Sequence, residues 1–470
     1  MTLKETNLCN THTNCKQCKN FKHCIGFAQL LEKHGYNAAY SHFDYRTNLK
    51  NKKTRAYVLD PKKVSKHGFF PFVNFTKKET KYSAELPDHI KYKERQLFYA
   101  SHLDRCIYQY YSFLINEKYN AYSTEHGLDD VAIAYRNNSD KCNIHCAKEA
   151  FDFLKSTTKS LIIINDFTSY FDNLDHQYLT KMLCKLLNVD VLPADYAAVM
   201  KNITKFSWLE WADIIEASGN SITTPKLKTK LNSQDRLLDR HQFRKAQKLI
   251  HKNTKTYGIP QGSPISATLA NIYLMDFDVE LKSLVESHQG TYKRYCDDTI
   301  VILPYTNEEE KALLKAQYDK ILAKYNGIVY IKPEKTEIAS YDNGCITTTD
   351  NKKFIDYLGF RFCDNQITIR PRSITRYFYR LKRYARRIYN NLNIPTHISY
   401  SDIYKRFSDY YSDDSFGNFI SYAKKADRII GLEHDKPLQC IIKNNKMYIR
   451  KAIKKYGTII PRSEPCSKAA

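Results

Sequence analysis

Residues 291–305 read TYKRYCDDTIVILPY, and they set two neighbouring carboxylates, Asp297 and Asp298, just before an unbroken apolar run, Ile300 to Leu303. The run predicts a buried strand, and TYKRY before it predicts a β-hairpin with the acidic pair at its turn. Ionised neighbours in a poorly solvated place repel and raise each other's pKa, so the arrangement is costly unless a cation compensates. That points to a divalent metal.

A second stretch, SLIIINDFTSYFDNLDHQYLTKMLCKLL, repeats the theme. Leu161 to Ile164 reads as a β-branched strand, which leaves Asp166 at its C-terminal end, where side chains emerge at the rim of a sheet; after Asp175 the pattern turns helical. Three carboxylates on adjacent strands can hold two Mg2+ ions about 4 Å apart, a pair that activates an attacking 3′-oxygen and stabilises a leaving pyrophosphate. Taken singly, each Asp reads better as a cap or turn residue; their joint occurrence with the segment between them reverses the balance.

Lys and Arg number 74 against 50 acids, a formal charge of +24, which calls for a polyanionic partner such as RNA or DNA rather than a merely soluble basic surface. The 37 Tyr and 23 Phe strengthen this, because bases stack on aromatic faces while Lys and Arg follow phosphates. No apolar run approaches the roughly 20 residues of a membrane span, and MTLKETNLCNTHTNC lacks the apolar core of a secretory signal, so a cytoplasmic protein without a membrane partner is expected. Thirteen cysteines do not form an evident disulfide framework. Cys9, Cys15, Cys18 and Cys24 put four soft ligands in sixteen residues and read equally as a structural zinc knuckle or as metal-free thiols. Cys142, His145 and Cys146 form a weaker cluster that reads as core or surface.

Residues 36–92 read as irregular with a few strands, 93–119 as a helix, VAIAYRNN as a short strand and 146–158 as a helix. The basic tract at 226–255 is expected to be mobile. GIPQGSPIS reads as a loop entering a helix at about Ser263 to Ala267; NEEEKALLKAQYDKILAKY is an amphipathic helix; IVYIKPEKTEIAS and FIDYLGFRF read as strands. From residue 371, Arg372, Arg376, Arg380, Arg383 and Arg387 recur every three or four positions with no acid between them, which on a helix forms one cationic stripe suited to a phosphate backbone.

The order DFTSYFDNLDH, GIPQGSPIS, YCDD, EKTEI and YLGF resembles the palm of reverse transcriptases, motif by motif over about residues 160–362. A second YxDD, Tyr411 to Asp414, lacks a following apolar strand and is given no catalytic role. The resemblance implies an α+β right-hand polymerase: a Cys-rich segment at 1–35, an N-terminal extension and fingers at 36–159, a palm of antiparallel sheet and helices at 160–365 with a fingers insertion near 190–257, and a basic helical thumb and tail at 366–470. It implies that Asp166 and Asp297 are the main Mg2+ ligands, supported by Asp298 and the Phe167 carbonyl. Phe171 matches the aromatic gate that favours deoxynucleotides, though core packing is the plainer reading of such an aromatic. Gln261 and Gly262 match the loop on the incoming nucleotide, where glycine admits close backbone approach, and Lys335 matches a lysine near the leaving pyrophosphate. Arg136 matches a fingers contact to the triphosphate, against a plainer reading as surface. Tyr357 to Phe360, including Gly359, resembles the primer grip, and the arginine helix takes the place of a thumb on the duplex.

Within the family, the polar N-terminal extension and the lack of an endonuclease or maturase domain resemble the defence-associated bacterial enzymes more than intron or retron ones; retrons usually carry YADD where this chain has YCDD. That group implies dNTPs as substrates, a structured noncoding RNA as template and a DNA product, and leaves open a second copy of the chain or an accessory protein as partner. Untemplated or protein-primed synthesis, a retron-type enzyme and a non-catalytic RNA-binding scaffold are the alternatives.

Overall fold

The computed structural model describes residues 27–32, 36–82, 90–136, 138, 140–220, 224–390, 400–409 and 417–456. Cys9, Cys15, Cys18 and Cys24, and the YSDD of Tyr411 to Asp414, lie outside them. The chain divides into two compact units, one of residues 1–129, 135–138 and 168–277, the other of 130–134, 139–167 and 278–470.

The second unit is built on a five-stranded antiparallel sheet. Its strands are β1 (Lys159–Asp166), β2 (Thr291–Tyr295), β3 (Asp298–Pro304), β4 (Thr336–Asp342) and β5 (Cys345–Thr348), in the order β2-β3-β1-β4-β5. Both edges of β1 are paired and residues of both its faces are covered, so the apolar run Leu161 to Ile164 is buried throughout. Ile162, Ile164, Ile300 and Ile302 join a core with Ile144, Ala147, Phe151 and Leu154 of helix α1 (Asn143–Lys155). Asn165 donates its side-chain amide to the Tyr318 hydroxyl of α2 (Glu308–Lys324) at 2.5 Å. The Cys142, His145 and Cys146 cluster is helix capping and core: the Cys142 backbone N–H donates to His145 Nδ1 at 3.1 Å, and the buried Cys146 thiol lies 3.5 Å from the Tyr357 hydroxyl.

A three-stranded antiparallel sheet follows, β6 (Phe354–Tyr357), β7 (Phe360–Cys363) and β8 (Gln366–Ile369). Next comes α3 (Pro371–Asn390), the helix the arginine spacing predicts, with α4 (Tyr400–Phe407), α5 (Phe419–Ile430) and α6 (Lys436–Tyr456) beyond it. Tyr377, Leu381 and Ala385 of α3 are buried against Ile403, Ile420 and Ile449, while Arg372, Arg376, Arg380, Arg383 and Arg387 are exposed.

In the first unit, strands Phe72–Tyr82 and Ile90–Tyr99 form a long antiparallel hairpin; the first of them pairs in parallel with Ser207–Glu210, which pairs antiparallel with His251–Lys252. The helix expected over 93–119 is therefore two elements, a strand to Tyr99 and a helix at His102–Glu125. The backbone of Leu97 and Phe98 is paired across the hairpin, and Ser101, whose hydroxyl accepts the Asp104 N–H, starts the helix afresh. The tract at 226–255, expected to be mobile, lies within helices Pro225–Ser233 and Arg240–Ala246 and the segments around them, because Leu231, Leu237, Leu238 and Ala246 are buried in one apolar cluster. Of VAIAYRNN, the described residues keep one β-bridge, Ala132 to Arg294, in place of the expected strand; Tyr135 adopts a left-handed backbone with φ +61°.

Candidate active site

β1 and β3 pair so that Asp166 stands directly opposite Asp298. Facing residues of an antiparallel pair share one side of the sheet, so these two carboxylates emerge together at the end of the Ile164 and Ile300 row. Asp297 lies in the two-residue reversal between β2 and β3, where Tyr295 pairs with Asp298 and Cys296 has a φ of +61°. The Phe167 N–H donates to the Asp297 carbonyl at 3.0 Å, tying the turn to the end of β1. Lys335, ahead of β4, reaches the same place: its Nζ donates to Asp166 Oδ2 at 2.7 Å.

Burial, then the Asp297 and Asp166 carboxylates, push Asp298 up to about 7, against the pull of Arg370 and Lys335. Asp297 is also raised, by burial first and then by Asp166, while its own backbone, Cys296 and Lys335 draw it down. Burial and mutual repulsion thus disfavour the charged forms of Asp297 and Asp298 in the absence of a compensating cation, and the donors of the site are the hard oxygens that a divalent cation such as Mg2+ takes. Among the described residues no three Asp, Glu, His or Cys side chains are gathered closely enough to hold a metal ion, and the Lys335 ammonium occupies Asp166. The donor set is of the kind a divalent cation takes, and Asp166, Asp297 and Asp298 are the residues that would hold it.

The structure brings four of the expected residues into one place, Asp166, Asp297, Asp298 and Lys335, with the Phe167 backbone beside them. Phe171, Gln261, Gly262 and Arg136 belong to the other unit. There, Gln261 accepts the Phe98 N–H on its carbonyl at 2.9 Å, and a Cβ on Gly262 (φ +114°) would come within 2.6 Å of the Phe98 carbonyl. The glycine is thus already required by the neighbouring strand. Arg136 is not on the surface: it is buried, and its guanidinium donates to Asp129 at 2.5 Å, Ser123 at 2.9 Å and Asn120 at 3.1 Å, which leaves it committed within the protein. Tyr357 is likewise corrected. It is 1% exposed, in the core with its hydroxyl against Cys146 and the Lys293 carbonyl, so it supports the β6–β7 turn from beneath. Gly359, with φ +94°, lies at that turn and lines a groove of about 1040 Å³ together with Arg376, Arg380, Arg383, Lys405 and Arg406.

Sequence reasoning missed the support beneath the acidic turn, Tyr292, Arg294 and Asp278. The signal was present as an arginine in TYKRY, a strand with Tyr292 and Tyr295 on either side of Lys293 and Arg294.

Residues 114–362 match the family model described as reverse transcriptase (RNA-dependent DNA polymerase). Among solved structures, the chain is similar to the apo telomerase of Candida tropicalis truncated from its C-terminal domain (11% identity, 69% of this chain and 61% of that one, TM-score 0.40). It is also similar to the Candida albicans telomerase in complex with the TWJ fragment of telomeric RNA (13%, 94% and 70%, TM-score 0.36). A third likeness is to the RNA-dependent RNA polymerase of a human picobirnavirus (12%, 62% and 42%, TM-score 0.31). The chain thus spans 61% of the length of the first of these. No curated protein matches the sequence. No helix among the described residues is long and apolar enough to cross a membrane. The family model covers more than half of the sequence and includes the facing Asp166 and Asp298, the acidic turn and Lys335, and the chain, an α+β protein, belongs to the reverse transcriptase family.

Proposed function

We propose that this chain is an RNA-directed DNA polymerase that adds dNTPs to a 3′-hydroxyl. The observation that carries the reading is the meeting of Asp166, Asp298 and the Asp297 turn on two paired strands, with Lys335 on Asp166. Asp166 and Asp297 would hold two Mg2+ ions, with Asp298 and the Phe167 carbonyl in support. Bound there, the ions would activate the attacking 3′-oxygen and stabilise the leaving pyrophosphate. Lys335, released from Asp166, places a proton and a positive charge where pyrophosphate departs. Phe171 serves as the sugar gate, and Gln261 and Gly262 line the nucleotide side.

The five exposed arginines of α3 hold the template and product duplex by its phosphates, with little sequence reading. On this reading 36–159 is extension and fingers, 160–365 palm with a fingers insertion near 190–257, and 366–470 thumb and tail. The charge of +24 supports RNA as the template. Likeness of layout to the defence-associated enzymes supports a structured noncoding RNA in that role and a place in defence against phage; this part of the reading rests on analogy.

The test is incorporation by protein purified with its bound nucleic acid, given Mg2+ and dNTPs beside an Asp297→Ala variant, with products sequenced. DNA complementary to the bound RNA, made by wild type alone, supports the reading. A homopolymer or a protein-linked product replaces it with untemplated or protein-primed synthesis. Phe171→Ala should relax discrimination against ribonucleotides; unchanged discrimination removes the gate assignment.

A further inference from the structure

Arg294 has no exposed surface and is the largest side chain so buried among the described residues. Its Nε donates to Asp278 Oδ1 at 2.8 Å and Oδ2 at 3.1 Å, and its Nη2 to Oδ2 at 2.5 Å. Asp278 also accepts the Tyr292 hydroxyl at 2.8 Å. The third guanidinium nitrogen, Nη1, donates to the Cys296 carbonyl at 3.2 Å. A buried ion pair is weak evidence of stabilisation, since apolar residues of similar volume often do as well. What apolar residues cannot do is hold that carbonyl.

Cys296 is in the left-handed region, which disfavours a residue with a Cβ. The carbonyls on either side of the Asp297 Cα are both engaged: that of Cys296 by Arg294, and that of Asp297 by the Phe167 N–H. Asp297 therefore projects from a backbone fixed at both neighbouring peptides. We infer that Arg294, anchored by Asp278, is a positioning residue that aims the Asp297 carboxylate; this rests on the polymerase reading and adds to it the device that orients its acidic turn.

The experiment uses the full chain and replaces the network as a whole, Arg294→Met with Asp278→Leu and Tyr292→Phe, so that no charge is left unpaired. Thermal unfolding, single-nucleotide incorporation and hydrogen exchange at the Phe167 amide are measured beside wild type. The expected result is an unfolding midpoint close to wild type, kcat lower by about 10- to 100-fold, KM for dNTP within about twofold, and faster exchange at Phe167. Unchanged kcat and exchange in a protein of equal stability would overturn the inference and leave the pair a structural one. Should the triple variant fail to fold, Arg294→Lys keeps a charge for Asp278 without the fork that reaches Cys296; the same fall in kcat supports the inference and wild-type kcat overturns it. Wild type that incorporates nothing breaks the polymerase reading instead, and exchange at Phe167 then decides the positioning role alone.

Discussion

Among the described residues four hairpins of the second unit reverse in two residues, and two of them, the one that carries the acidic pair and the one between β6 and β7, put the reversal to opposite ends. In the turn between β2 and β3, Tyr295 pairs with Asp298 across Cys296 and Asp297; in the turn between β6 and β7, Tyr357 pairs with Phe360 across Leu358 and Gly359. Both need left-handed backbone, at Cys296 in one and at Leu358 and Gly359 in the other. The second is flanked by buried aromatics, Tyr357 and Phe360, and its strands are held by packing. The first carries two carboxylates that burial and repulsion push up, and it is held from beneath by an arginine. A turn that packs well adds stability; a turn that concentrates charge draws on stability supplied elsewhere, which is the pattern expected of a reactive site.

If the contrast is right, substitutions should separate rate from stability according to the turn they strike. Asp297→Asn should lower incorporation by several kcal/mol of barrier, about 10³-fold or more, while metal-free stability is unchanged or higher because one like charge is gone. Incorporation kinetics and a denaturant midpoint measured on the same preparation check both halves; a large loss of stability would break the comparison. Tyr357→Ala should do the reverse, lowering the free energy of unfolding by about 3 to 5 kcal/mol through the cavity it leaves, with the remaining folded fraction still incorporating nucleotide. That is read from the urea midpoint and from activity per folded molecule.

Gly359→Ala should cost about 1 to 2 kcal/mol from backbone alone, since the nearest atom to an added Cβ is the Tyr422 hydroxyl at 3.8 Å. A cost well above this would mean that the turn is held by more than its dihedrals. The smallest effect belongs to Cys296→Gly, where relief of the left-handed strain and the added freedom of the unfolded chain nearly cancel, leaving stability within about 0.5 kcal/mol. Its value is diagnostic, because a clear fall in kcat at equal stability would show that the Cys296 backbone, and not its strain, positions Asp297.

The parts of the molecule legible in the sequence are those in which local pattern and tertiary demand agree. Leu161 to Ile164 and Ile300 to Leu303 are buried strands in the structure as in the sequence, and Pro371–Asn390 is one helix with its arginines outward, since its buried residues, Tyr377, Leu381 and Ala385, share the complementary face. The misreadings fall where a partner distant in sequence decides. Leu97, Ala100 and Leu103 have helical spacing, yet the 72–82 strand claims the first of them for a hairpin. Arg136 and Tyr357 match positions that face ligands, and each is turned inward by partners that no spacing reveals: Asp129, Ser123 and Asn120 for the arginine, Cys146 and the Lys293 carbonyl for the tyrosine.

The sequence by itself determined that one apolar strand ends and another begins with carboxylates, and that a basic helix follows them, because β-branched runs and charge spacing act within a few residues. The register that sets Asp166 against Asp298, the ion pair that Lys335 makes with Asp166, and the arginine beneath the acidic turn were decided only by the tertiary structure. Each joins residues on different elements, and their contact depends on how the strands align, which is settled by the packing of both faces of the sheet together.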